Sequence, residues 1–187
     1  MSRQVLHLDF VSLSPTTGPD DRKQLIEAAA ALSSLDRVIA IGVIAGEAGS
    51  DFDLAFYFVL SEFAALEPFG TDPRYSRFLQ GEVAPRLKSF AGADVRLEDD
   101  FAQEGALGAA IALIGPDETY DWEVRDALQA WAQDTGAVST VVGLAAGERQ
   151  LYRGVALAFA ETLRPAAPPD PERLRAAVVR GRAQALS

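Results

Sequence analysis

The chain has 187 residues, with 27 acidic against 17 basic side chains and a formal charge of −10; it holds no Cys, one Met and one His. These counts exclude a disulfide scaffold, a zinc–thiolate or iron–sulfur centre, a Cys nucleophile and any site built from several His. Net negative charge opposes nucleic-acid binding, and no apolar run approaches the roughly 20 residues of a membrane-spanning helix.

Val5 to Leu13 (VLHLDFVSL) reads as a strand. Val5, His7, Asp9 and Val11 share one face; Leu6, Leu8, Phe10 and Ser12 share the other. Pro15, Gly18 and Pro19 make a turn. Asp20 or Asp21 then caps a helix with an apolar stripe of Leu25, Ala28, Ala29 and Leu32, ending near Ser33-Ser34. Arg37 to Ile44 and Asp53 to Leu60 (DLAFYFVL) are strands, the latter apolar enough for burial on both faces. A short helical piece starts at Ser61-Glu62 and is expected to be interrupted at Pro68-Phe69-Gly70. Asp72-Pro73 opens another helix, with Tyr75, Phe78 and Leu79 on its inner stripe and Pro85 near its end. Ala93 to Leu97 is the fourth strand, followed by acidic Glu98-Asp99-Asp100 and Glu104, read as solvated charge.

This order, β-α-β-β-α-β, is that of a ferredoxin-like unit. Phe10, Phe56 and Phe58 imply that a second sheet covers the open face of the first. The same chain can supply it. Leu107 to Ile114 is a strand, Gly115-Pro116-Asp117 a turn, Tyr120 to Gln133 a helix, and Val138 to Leu144 and Leu151 to Phe159 are strands. Gly147 marks a turn, and a proline-rich linker (Pro165, Pro168, Pro169, Pro171) leads to an expected final helix, Glu172 to Leu186. The expected architecture is therefore α+β: tandem ferredoxin-like units, 1–104 and 105–187, whose antiparallel sheets form one intramolecular α/β barrel. Residues 1–104 carry 9 basic and 17 acidic side chains, residues 105–163 carry 3 and 8, and residues 164–187 carry 5 and 2. The basic tail, with Arg173, Arg175, Arg180 and Arg182, is expected to dock on the acidic body.

VLHLDFVSL at 5–13, DLAFYFVLSEFAAL at 53–66 and FGTDPRYSRFLQGEVAPRLKSF at 69–90 resemble the stress-responsive A/B barrel (Dabb) family. That family pairs small ferredoxin-like domains through their sheets into a barrel, and the resemblance covers about half the chain. One branch comprises polyketide cyclases with a Y-x-x-H-P-x-H segment, whose Tyr and last His are catalytic. Here the Tyr position holds Phe69, the last His position holds Tyr75, and the intervening His position holds Asp72. His7 matches the family's first-strand His. Phe69 cannot donate a proton, and Tyr75, with a reference pKa near 10, is a poor base at neutral pH. The resemblance thus implies the barrel more strongly than the cyclase reaction.

His7 and Tyr75 are the candidate catalytic residues, His7 because its ring titrates near neutrality and each nitrogen can donate or accept. Asp9, Tyr57, Phe69 and Asp72 are the candidate ligand-binding residues. His7 and Asp9 are expected to face the barrel interior, where contact between residues two apart on a strand is geometrically open. Tyr57 lies on the face opposite Phe56 and Phe58. Asp72 equally suits an N-cap before Pro73. Trp122 and Trp131, about 2.5 helical turns apart, point to different sides, Trp131 to the core and Trp122 to an edge. GxGxxG, Walker A and GxSxG patterns are absent. The expectation is a cytoplasmic barrel of unassigned reaction that binds a small apolar or carbonyl-containing molecule. It needs no cofactor or metal, contacts neither nucleic acid nor the membrane interior, and is a monomer or weak homodimer. The alternatives are a cyclase, lyase or isomerase with His7 as base, and a non-catalytic interaction module.

Overall fold

The computed structural model describes residues 3–101, 108–114, 120–146, 152–164, 166 and 176–186. Eight strands, β1 (Val5–Leu13), β2 (Val38–Gly46), β3 (Leu54–Leu60), β4 (Leu87–Leu97), β5 (Gly108–Ile114), β6 (Ser139–Ala145), β7 (Gly154–Ala160) and β8 (Ala176–Ala185), close into one antiparallel barrel. Their order is β1-β3-β2-β8-β5-β7-β6-β4. The helices α1 (Pro19–Ala30), α2 (Leu66–Thr71), α3 (Pro73–Arg77) and α4 (Asp121–Asp134) lie outside it. The chain therefore folds as tandem ferredoxin-like units sharing an intramolecular barrel.

The pairings repeat. β1 pairs with β3 and β4 as β5 pairs with β7 and β8; β2 pairs with β3 as β6 pairs with β7. The seams β2·β8 and β4·β6 join the halves. Each ferredoxin-like sheet would otherwise present unpaired N–H and C=O groups at its edges. Closing both seams satisfies them within one chain.

Alternation on each strand divides the apolar residues between two layers. Leu6, Leu8, Phe10, Ala55, Tyr57 and Val59 fill the barrel interior with Leu157, Phe159 and Val179 from the second half. Val11, Phe56, Phe58 and Leu60 face outward beneath α1, α2 and α3, packing with Leu25, Phe69, Tyr75 and Phe78. The second half repeats this more modestly, α4 placing Val124, Leu128 and Trp131 on Ala156 and Ala158. Of the three phenylalanines expected to meet the second sheet, only Phe10 does; Phe56 and Phe58 are covered by helices.

Several sequence expectations need correction. The expected C-terminal helix over 172–186 is a strand, β8, where described. Its Arg- and Ala-rich composition favours a helix locally, but the β2 and β5 edges both need a partner, and Val178-Val179 suits a strand. Gly181 lets β8 approach β2, because a Cβ there would collide with the Ala45 carbonyl. The basic tail is thus partly barrel wall, with Arg180 and Arg182 on it; Arg173 and Arg175 lie outside the described residues. β4 begins at Leu87 rather than Ala93, its Ala91-Gly92-Ala93 centre having weak strand propensity. The helical piece continues through Pro68 and Gly70 to Thr71, because Pro68 sits in the first turn of α2, where no N–H is required. Gly18, not an aspartate, is the N-cap of α1, with Asp21 accepting its N–H at 3.1 Å. Trp131 is buried, whereas Trp122 is exposed and stacks on Tyr120. Glu98 pairs with Arg125. The turns expected at 115–117 and at Gly147, the Pro165–Pro171 linker apart from Ala166, and Glu104 lie outside the described residues. No described helix is long and apolar enough to cross a membrane.

Candidate functional site

The single histidine is built into a cluster beneath the α2–α3 segment. On β1, Leu6, Leu8 and Phe10 point into the barrel, which turns His7 and Asp9 outward toward the helices rather than inward as expected. Twist brings these two side chains within reach: His7 Nε2 lies 3.3 Å from Asp9 Oδ1. Neighbouring β4 places Asp94 opposite His7 in register. Asp72 starts α3 by accepting the Arg74 N–H at 2.8 Å, and Pro73 presets the first turn. That start brings Tyr75, two residues on, down over β1.

The hydrogen bonds form a directed chain. The Nδ1–H of His7 donates to Asp94 Oδ1 at 2.6 Å, and its Nε2–H donates to the Tyr75 hydroxyl at 2.7 Å. The Tyr75 O–H in turn donates to Asp9, 2.9 and 3.1 Å from its two carboxylate oxygens. This sequence of donors requires a proton on both ring nitrogens. Burial pulls the His7 pKa down, but the charges of Asp9 and Asp94 and their hydrogen bonds outweigh it and raise it from 6.5 to about 10. Burial first, then the Asp9 charge and hydrogen bond, push the Tyr75 hydroxyl far above its ordinary range. At neutral pH the ring is an imidazolium between two carboxylates, and Tyr75 is a neutral donor. A general base needs an unshared nitrogen lone pair, which this ring lacks; it is equipped to donate protons and stabilise negative charge.

Aromatic rings wall the cluster. Phe58, Phe69 and Tyr75 have ring centroids 5.8, 5.2 and 5.6 Å from that of His7, and Phe69 packs on Tyr75 at 4.5 Å. Asp9 is 1% exposed, His7 15% and Asp94 26%, so access is from the Asp94 side.

Of the residues chosen from sequence, His7, Tyr75, Asp9 and Phe69 come together. Tyr57 does not: it lies in the barrel interior, its ring 5.6 and 6.3 Å from those of Phe101 and Phe159. Asp72 does not either. It caps α3 and pairs with Arg74, which holds its carboxyl below the usual range. Sequence reading missed Asp94 and Phe58. Asp94 carried one local signal, a carboxylate flanked by Ala93 and Val95 in a strand, but only the β1·β4 register places it on His7. The second half has no counterpart. Where His7 sits between Phe58 and Asp94, the matching position is Ala110, between Ala158 and Arg180.

No family model matches the chain. No curated protein matches it either. Solved structures do. An anthrone oxidase-like protein aligns over 100% of this chain and 94% of its own, with TM-score 0.67 and 13% identity. A candidate monooxygenase from Lactobacillus acidophilus NCFM aligns over 100% and 97%, with TM-score 0.62 and 12% identity. A Dabb family protein with a ferredoxin-like fold from Mesorhizobium loti aligns over 55% of this chain and 98% of its own, with TM-score 0.43 and 16% identity. At these identities the full-length likenesses show the fold: one chain spanning a complete two-unit α+β barrel.

Proposed function

We propose that this protein binds a small, largely apolar molecule bearing a carbonyl or hydroxyl group beside His7, at the Asp94 edge of the cluster. The observation that carries the reading is the buried imidazolium held between two carboxylates and a tyrosine. Desolvating charges is costly, and apolar residues of similar volume generally stabilise a core at least as well. A fully hydrogen-bonded ionic cluster under aromatic walls, open on one side, is better explained by recognition than by stability. A ligand hydroxyl would donate to Asp94, a ligand carbonyl would share the Nδ1–H that His7 donates to Asp94, and Phe58 and Phe69 would meet the apolar body.

We read residues 1–104 and 105–187 as two diverged copies of one unit, only the first retaining the site. The Dabb resemblance and the barrel support this together. A catalytic reading draws on the continuous donor chain: His7, through its Nδ1–H at the Asp94 edge, would stabilise negative charge on a carbonyl oxygen during cyclisation, elimination or isomerisation, with Tyr75 as a neutral hydrogen-bond partner behind it. The interaction-module reading has less support, since the barrel interior is filled within one chain.

The test uses the histidine as reporter. Phenolic, ketone and carboxylic compounds are titrated while the Hε1 resonance of His7 and the melting temperature are followed. Saturable movement of that resonance, abolished in Asp94→Asn, is the expected result. A resonance that no compound moves, with no thermal stabilisation, overturns the proposal.

A further inference from the structure

A second cleft, chemically different in its lining from the His7 cluster, lies over β8. The cleft there has a volume of about 800 Å³, within the range of small-molecule sites, and its lining includes Glu47, Gly108, Glu161, Arg180, Arg182 and Gln184. Arg180 occupies the register position that corresponds to Asp94, opposite Ala110 instead of His7. The anionic corner of the first half is therefore replaced by a cation.

Two observations bear on these arginines. No ion pair among the described residues involves Arg180 or Arg182, although Arg22, Arg37, Arg74, Arg86 and Arg153 each hold a carboxylate. The Arg180 Nε is also buried with no hydrogen-bond partner; the Arg125 Nε is buried as well, but Arg125 pairs with Glu98. A guanidinium N–H stripped of water and left unpaired is costly, and its planar fork matches the two oxygens of a carboxylate or phosphate. The backbone beneath it is fixed: the Arg180 N–H donates to Ser50 Oγ at 3.0 Å, and its carbonyl accepts from Ser50 Oγ at 3.0 Å and from the Glu47 N–H at 2.7 Å.

We infer that the β8 cleft binds an oxyanion, with Arg180 as the bidentate donor and Arg182 as a second charge at the rim. Glu47 and Glu161 on the same lining balance the two arginines.

The experiment follows the Arg Nε–Hε resonances of the full chain at constant ionic strength, with inorganic phosphate and then acetate as probes. A saturating shift of the Arg180 signal with a Kd of about 1 mM or tighter is expected. Response to phosphate alone, or to acetate alone, identifies which oxyanion the fork takes. Arg180→Lys, which keeps the charge but loses the fork, should weaken binding about tenfold. Arg182→Gln, at an exposed position with no fold role, should weaken it less. A non-saturating drift that chloride reproduces overturns the inference, as does unchanged binding in both variants. If Arg180→Lys does not fold, the wild-type titration and Arg182→Gln still decide.

Discussion

His7 is the sole histidine, so one Hε1 resonance reports the charge state of the cluster without ambiguity. The perturbation is pH. A rise in pKa from 6.5 to about 10 corresponds to about 5 kcal/mol of differential interaction with the two protonation states. The sign follows from the folded state holding its proton more tightly. The contribution is complete below the unfolded pKa near 6.5 and is lost as pH rises toward 10. Between those limits the folded state binds one more proton than the unfolded chain, so unfolding free energy falls by about 1.4 kcal/mol per pH unit from this group. The Tyr75 pKa is raised as well, so below pH 10 its hydroxyl is neutral in both states and adds little to this slope. The assays are an NMR titration of the wild type and denaturant unfolding from pH 6 to 10, repeated on His7→Gln. The resonance should stay at its protonated position through pH 8, and the slope should vanish in the variant. A midpoint near 6.5, with equal slopes in both proteins, would refute the assignment of an imidazolium held by Asp9 and Asp94.

Other outcomes follow from the same contacts. Asp94→Asn should move the His7 midpoint downward by removing one of its two anionic partners, read by the same titration. Tyr75→Phe leaves the Asp9 carboxylate, 1% exposed, without its closest donor and should cost about 1–3 kcal/mol in urea unfolding; a loss below 0.5 kcal/mol would contradict the geometry. Gly42→Ala places a methyl group against the Tyr57 ring and hydroxyl inside the barrel and should destabilise by about 1–3 kcal/mol, read as a lower melting temperature. Trp131→Ala should cost about 3–5 kcal/mol, while Trp122→Ala, at 57% exposure, should stay within about 0.5 kcal/mol.

Hydrophobic period carried much of the architecture. The alternation in VLHLDFVSL, the apolar run 53–60 and the helical stripe of Leu25, Ala29 and Leu32 specify element type locally, and each formed close to where its pattern lies. The repeated β-α-β-β order then pointed to two units sharing a barrel. His7, Asp9, Phe69 and Tyr75 stood out as residues whose chemistry exceeds what packing needs.

Tertiary structure decided which strand face meets which layer, because a period of two alternates faces without saying which one is inside. Leu6, Leu8 and Phe10 took the interior, which sent His7 to the helices and Tyr57 away from it. Register across 87 residues of sequence brought Asp94 to His7, an encounter no local spacing encodes. β8 shows the same limit from the other side. Its residues tolerate a helix by composition, but two open sheet edges required a strand, and the hydrogen bonds of the closed barrel outweighed the local preference.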